Sequence, residues 1–156
     1  MRTNEMMKSF RKLCRRNSGQ SLVETALAVS LCGILMLGAA EFGRLAYAGI
    51  EISDSARAGV EFGSQSLPDS EDFTNMTTAA SLSAPDIPNL TLTASNYCKC
   101  SDGSSSTCTT TSCAVGTRNI TYVQVVTSGS IKPLIYVPGL PKSYSISGKA
   151  VMRVVD

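Results

Sequence analysis

From Leu22 to Ala40 the chain is apolar except for Glu24, Thr25 and Ser30. The run is close to the ~20 residues that a membrane-spanning helix needs. Gly33, Gly38, Ala39 and Ala40 keep its profile narrow, which lets helices approach closely. Beyond Ala40 polar residues enter at a helical rhythm. Phe42, Leu45, Gly49, Ile52, Ala56, Val60 and Gly63 recur every three or four positions and fall on one face. Charged residues from Glu41 to Glu61 occupy the rest of the wheel, and Pro68 sets a stop by Leu67. The pattern predicts one helix over residues 20–66, apolar all round in its first half and amphipathic in its second.

After Pro68 the periods shorten. Asp69 or Ser70 is placed to cap a short helix with Phe73, Met76, Ala80 and Leu82 as its buried face, and Pro85 and Pro88 end it. Residues 89–95 alternate in part and read as a first strand. Residues 119–127 are rich in β-branched and aromatic side chains and form the strongest strand signal. Residues 131–137 contain Pro133, which allows only an edge strand or irregular chain. Residues 143–155 read as a closing strand with Ile146, Ala150, Met152 and Val154 on alternating positions. The expected class is α+β: a long N-terminal helix, a short helix and a small antiparallel sheet over residues 67–156.

Charge divides the chain further. Residues 1–19 carry six Lys/Arg and one acid, whereas the remainder has eight bases against eleven acids. A basic leader before an apolar segment stays in the cytoplasm by the positive-inside tendency. The scattered, outnumbered bases beyond it argue against a nucleic-acid partner. There is no His and no Trp, no phosphate-cradling glycine loop, no nucleophile elbow and no carboxylate pair set for acid–base work. The expectation is a protein that is not an enzyme, with no catalytic residue and no cofactor.

Of six cysteines, Cys14 lies in the leader and Cys32 in the apolar run. Cys98, Cys100, Cys108 and Cys113 bracket CKCSDGSSSTCTTTSC, a Ser/Thr-rich stretch with little apolar content to order it. An even count in an exported segment favours two disulfides, in any of three pairings. The rival is a four-thiolate metal site, but the spacing lacks the paired C-x₂-C knuckles of common zinc modules. The expectation is disulfides and no metal.

Three processing routes fit the N-terminal segment. A secretory signal could be cut after Ala40, where small residues stand. A lipoprotein signal would end at Cys32, but the bulky Leu31 before it is unsuitable. The third cut, between Gly19 and Gln20, leaves the apolar helix on the mature chain and makes Glu24 its fifth residue. A basic leader, Gly before the cut and Glu in fifth place resemble the type IV prepilin signature. An ionised carboxylate inside a bilayer costs roughly 2.5–3.5 kcal/mol on insertion scales, so it needs a reason. Near the helix start it meets the positive end of the helix dipole. The resemblance implies that Glu24 engages the new amine of Gln20 on a neighbouring subunit. The plain alternative is a Glu at headgroup level that only anchors the helix end.

The resemblance narrows further along the chain. Gly19-Gln20, Glu24, Phe42-Gly43-Arg44 and Ala56-Arg57-Ala58-Gly59 are similar to the pattern of TadE-like proteins, minor pilins or pseudopilins of the tight-adherence (Tad, or Flp) pilus. The closing stretches YVQVVTSGSIKPLIYVPGLP and AVMRVVD are a looser echo. The resemblance implies a precursor whose leader, residues 1–19, is removed by a prepilin peptidase. Its partners would be that peptidase, other pilins, Tad assembly proteins and a membrane crossed once. It would sit in the bacterial cytoplasmic membrane with residues 67–156 exported, and serve adhesion and biofilm formation as a structural or assembly-initiating component. The rival function is a secreted or membrane-anchored, disulfide-containing binding domain released near Ala40.

Overall fold

The computed structural model describes residues 3–109, 113–136, 138–139 and 141–155, with side chains from residue 19 onward. The chain divides into two units, Met1–Gly43 and Arg44–Asp156. Helix α1, Thr3–Gly63, belongs to both. It begins well before the expected Gln20, because residues 3–18 contain no Pro or Gly that would stop a helix from propagating backward through them. It ends at Gly63, earlier than Pro68 requires, where the amide of Ser64 closes on the carbonyl of Val60 (2.9 Å).

In the second unit a 3-10 turn at Asp69–Glu71 precedes helix α2, Phe73–Leu82. The cap of α2 is Asp72, not Asp69 or Ser70. Asp72 has a non-helical backbone (ψ 71°), so its carboxylate can turn back to accept the amide of Asn75 (3.0 Å). Asp69 is engaged earlier, accepting the hydroxyl of Ser66 (2.6 Å). The buried face of α2 is narrower than its periodicity suggests. Met76 and Ala80 are buried, while Phe73 is 40% and Leu82 77% exposed. The cause is a close crossing with α1. A Cβ on Gly63 would lie 2.7 Å from the end of Met76, and one on Gly59 would lie 3.0 Å from the Met76 carbonyl. The buried hydroxyl of Ser55 donates to the carbonyl of Ala80 (2.7 Å) at the same crossing. Two side chains of α2 are enough to fill that contact.

Strands β1 (Thr91–Cys100), β2 (Ser105–Ser106), β3 (Asn119–Ile131) and β4 (Tyr144–Arg153) form one sheet in the order β2-β1-β3-β4. All pairings are antiparallel. The fold is α+β. β1 starts later than position 89 because Asn89 takes a left-handed backbone (φ 53°) after Pro88. It runs on to Cys100 because β3 supplies a partner for every residue of it, ending at Cys100 opposite Asn119. β3 stops at Ile131, and Lys132–Tyr136 are irregular around Pro133; Val137 lies outside the described residues. In β4, Ile146, Gly148 and Ala150 turn inward and Val154 is buried just past the strand, but Met152 is exposed near the edge.

The inward row of β3 (Val123, Val125, Thr127, Gly129, Ile131) faces the helices. One core cluster joins Val60, Met76, Ala80, Val123, Val125 and Val154; the other joins Ala48, Ile52, Ala84, Ile87 and Ile131. Between them α1 and the sheet come close. Thr127 donates its hydroxyl to the carbonyl of Ile52 (2.8 Å). A Cβ on Gly148 would meet that same carbonyl oxygen at 2.9 Å and the Thr127 hydroxyl at 3.0 Å. Because backbone stands in the way, Gly148→Ala is expected to cost about 1–3 kcal/mol, measurable by denaturant unfolding of the full chain. Gly63→Ala, which meets only the flexible end of Met76, is expected to cost less.

Candidate functional site

Two features stand out once the fold is in place: the apolar part of α1 and the cross-linked end of β1. From Gly19 to Ala40 the helix is exposed at nearly every position; Leu22 is 72% and Met36 75% accessible. It is long and apolar enough to cross a membrane, and none of its most apolar window is buried against the chain. A core helix of a soluble domain would be covered. This much contiguous apolar surface calls for lipid or protein around it. Two of its hydroxyls are satisfied internally, Thr25 donating to the carbonyl of Ser21 (2.8 Å) and Ser30 to that of Ala26 (2.9 Å). That leaves its one acidic side chain, Glu24, which is exposed; the first base after it is Arg44, twenty residues on.

At Gly19, Gly33, Gly38 and Gly43 an added Cβ would meet nothing within 4 Å, whereas at Gly59, Gly63, Gly129 and Gly148 it would collide. No contact within the chain accounts for the glycine at position 19. Gln20 follows it on the same exposed helix.

At the other feature, Cys98 is joined to Cys108 and Cys100 to Cys113, with Cα separations of 5.1 and 5.6 Å. The first two cysteines are not loop residues. They sit buried on the inward side of β1, and the chain returns through β2 with Cys98 opposite Ser106 and Lys99 opposite Ser105. The turn between them is built by Asp102, whose carboxylate accepts the amide (2.9 Å) and hydroxyl (2.7 Å) of Ser104, and by Gly103 at φ 89°. Those bonds from Ser104 hold the Asp102 carboxyl below its ordinary range. The Asp-Gly dipeptide is the sequence signal for this hairpin, and the Ser/Thr-rich composition hid it. Residues 110–112 lie outside the described residues, and Cys14 precedes those with described side chains. Cys32 is an exposed free thiol on the apolar helix. Among the described residues no group of three or more His, Cys, Asp or Glu is gathered to hold a metal.

An uncovered apolar helix leading into a small cross-linked α+β unit defines the class: a protein with, among the described residues, one candidate membrane span, near the N-terminus. Residues 19–61 match the family model of TadE-like protein. The match begins at Gly19, takes in Glu24 and Arg44, and covers α1 almost to its end, so the chain carries a TadE-like segment; none of the sheet is included. No curated protein and no solved structure matches the chain.

Proposed function

We propose that the chain is a minor pilin or pseudopilin of a Tad (Flp) pilus, made as a precursor and cut between Gly19 and Gln20 by a prepilin peptidase. Before assembly it is held in the cytoplasmic membrane by a single pass of α1, with residues 67–156 exported, where the two disulfides form. Assembly moves the apolar helix from lipid into contact with other pilins, so burial between subunits replaces burial in lipid. The carboxylate of Glu24 then pairs with the amine that cleavage creates on Gln20 of a neighbour. The observation that carries this reading is the combination at the start of the uncovered helix: Gly19, needed by no contact in the chain, and a lone acid five residues after it. Tad assembly proteins and other pilins are the partners. The folded unit suits an accessory or initiating component better than a tightly repeated shaft.

A signal peptide cut near Ala40 fits the same helix and yields a secreted binding domain instead. The mass of the mature protein separates the two. Loss of residues 1–19 is expected; loss of residues 1–40 would replace the pilin reading with secretion.

A further inference from the structure

Charge is sorted between the two layers of the folded unit. Residues 44–90, which supply its helices, carry seven acids and two bases, whereas residues 91–156 carry two acids and six bases. No Asp or Glu stands in any of the four strands. Because the helices cover the inward side of the sheet, its outward side and the far side of the helical layer face opposite ways.

Strand register lays out the outward face. Alternation puts Tyr97 and Lys99 of β1 on the side away from the buried Cys98 and Cys100, and Tyr122 of β3 away from the buried Val123. Tyr97, Tyr122 and Arg153 form one row across the sheet, and Thr93, Val126 and Lys149 another. The two tyrosine rings stack with centroids 5.4 Å apart, and the Lys99 ammonium lies 5.9 Å from the Tyr97 ring. The face is thus an aromatic and β-branched centre ringed by bases, the kind of composition that protein interfaces favour. Arg153 already has a partner in the chain. Lys149 is exposed and forms no ion pair among the described residues.

The helical layer is its complement. α1 turns Ala48, Ile52, Ala56 and Val60 to the core and leaves Asp54 and Glu61 exposed. These two acids are about two turns apart, so they share a side of the helix. Arg57 stands between them, and the side remains net acidic. Glu71 of the 3-10 turn is exposed as well, and Ile50 and Leu82 add apolar surface to this layer. Two sheet faces would repel one another, and so would two helical faces. A sheet face against a helical face brings opposite charges together.

We propose that the folded units of two copies of this chain associate head to tail, the outward sheet face of one on the α1 side of the other, with Lys99 and Lys149 meeting Asp54, Glu61 and Glu71. The contact is heterologous, so a pair keeps one free face of each kind and the association repeats. Three strands ~4.8 Å apart and nine residues long present about 400 Å². Counted on both partners, that is below the ~1,200 Å² of a stable complex, so the contact forms where copies are concentrated. It rests on the folded unit and not on the pilin reading.

A water-soluble carbodiimide joins a lysine amine to a carboxylate only where the two touch, and it tests this on the concentrated full chain in detergent. With half of the copies labelled by heavy nitrogen, a linked peptide pair of one heavy and one light half comes from two copies. Links between copies from Lys99 or Lys149 to Asp54, Glu61 or Glu71 are expected at low salt. They should fall at least about fivefold in molar salt, where the Debye length shrinks to about 3 Å. Glu61→Lys should lower the yield from Lys149 severalfold, and adding Lys149→Glu to it should restore a link between the exchanged positions. Absence of these links, links confined to Lys132, Lys142 or Asp102, or a yield unchanged by salt and by Glu61→Lys would overturn the proposal. Association that persists through all of these belongs to the apolar helix instead. The mature mass, which tests the pilin reading, is read separately and is unaffected by either outcome.

Discussion

Glu24→Ala is expected to leave removal of the leader intact while lowering recovery of the protein in sheared pili by about a hundredfold or more. The reasoning turns on which environment the carboxylate occupies. In the proposed membrane-held precursor it lies at the edge of the apolar run, where the headgroup region eases its charge, so the substitution should do little there. In a filament assembled as proposed, the same position would be surrounded by apolar helix, and the Gln20 amine of a neighbour would be its counter-charge. Removing one partner of a buried pair strands the other, at a cost of about 3–5 kcal/mol. With a factor of ten per ~1.4 kcal/mol, that is two orders of magnitude or more in incorporation. Glu24→Gln, which keeps a hydrogen-bonding oxygen but no charge, should fall between. Incorporation of Glu24→Ala at the normal level would leave Glu24 as a headgroup anchor and remove the pairing role.

The second large effect concerns the folded unit. Ile52 is fully buried; its side chain fills the space left by Gly129, lying 3.1 Å from where a Cβ would be there. Truncation to alanine leaves a cavity between helix and sheet, with an expected loss of about 2–5 kcal/mol. For a unit of this size the melting temperature should fall by roughly 8–20 °C, followed by circular dichroism of the full chain in detergent. Val151→Ala makes the control, because Val151 is on the outward side of β4 and 41% exposed. It should change stability by no more than about 0.5 kcal/mol. A melting temperature equally insensitive to both would show that α1 is not packed on the sheet in solution.

The sequence read well where one physical effect dominated. Ile52, Ala56, Val60 and Gly63 repeat at helical spacing and are all buried. Ala48, Ser55 and Gly59 share that buried row but carry too little apolar surface to register in a pattern. The β-branched run from Asn119 was visible, yet β3 continues through Ser128, Gly129 and Ser130. There the inward glycine is required by the nearness of Ile87 and Ile52, a tertiary cause that no local propensity records. β2 and the last residues of β1 were hidden in a Ser/Thr-rich stretch whose order comes from cystines and an Asp-Gly turn. The roles proposed for Gly19 and Glu24 rest on counting along the chain. A cleft at Glu51 was not legible, since it exists only where α1, the α2–β1 connection and the end of β3 come together.

The contact of Thr127 with the carbonyl of Ile52, seated beside Gly148 and Gly129, has a mechanical meaning. Two greased surfaces in shear slide past one another by small steps, and a helix can ratchet along a sheet by one turn, about 5.4 Å. A hydrogen bond to a helix carbonyl, flanked by positions where the sheet backbone admits no extra atom, works as a key in a slot. Tension applied along this part of α1 would reach the sheet as a rigid load rather than as slippage. A pull on residues 44–63 of α1 would then move the sheet with the helix in fixed register.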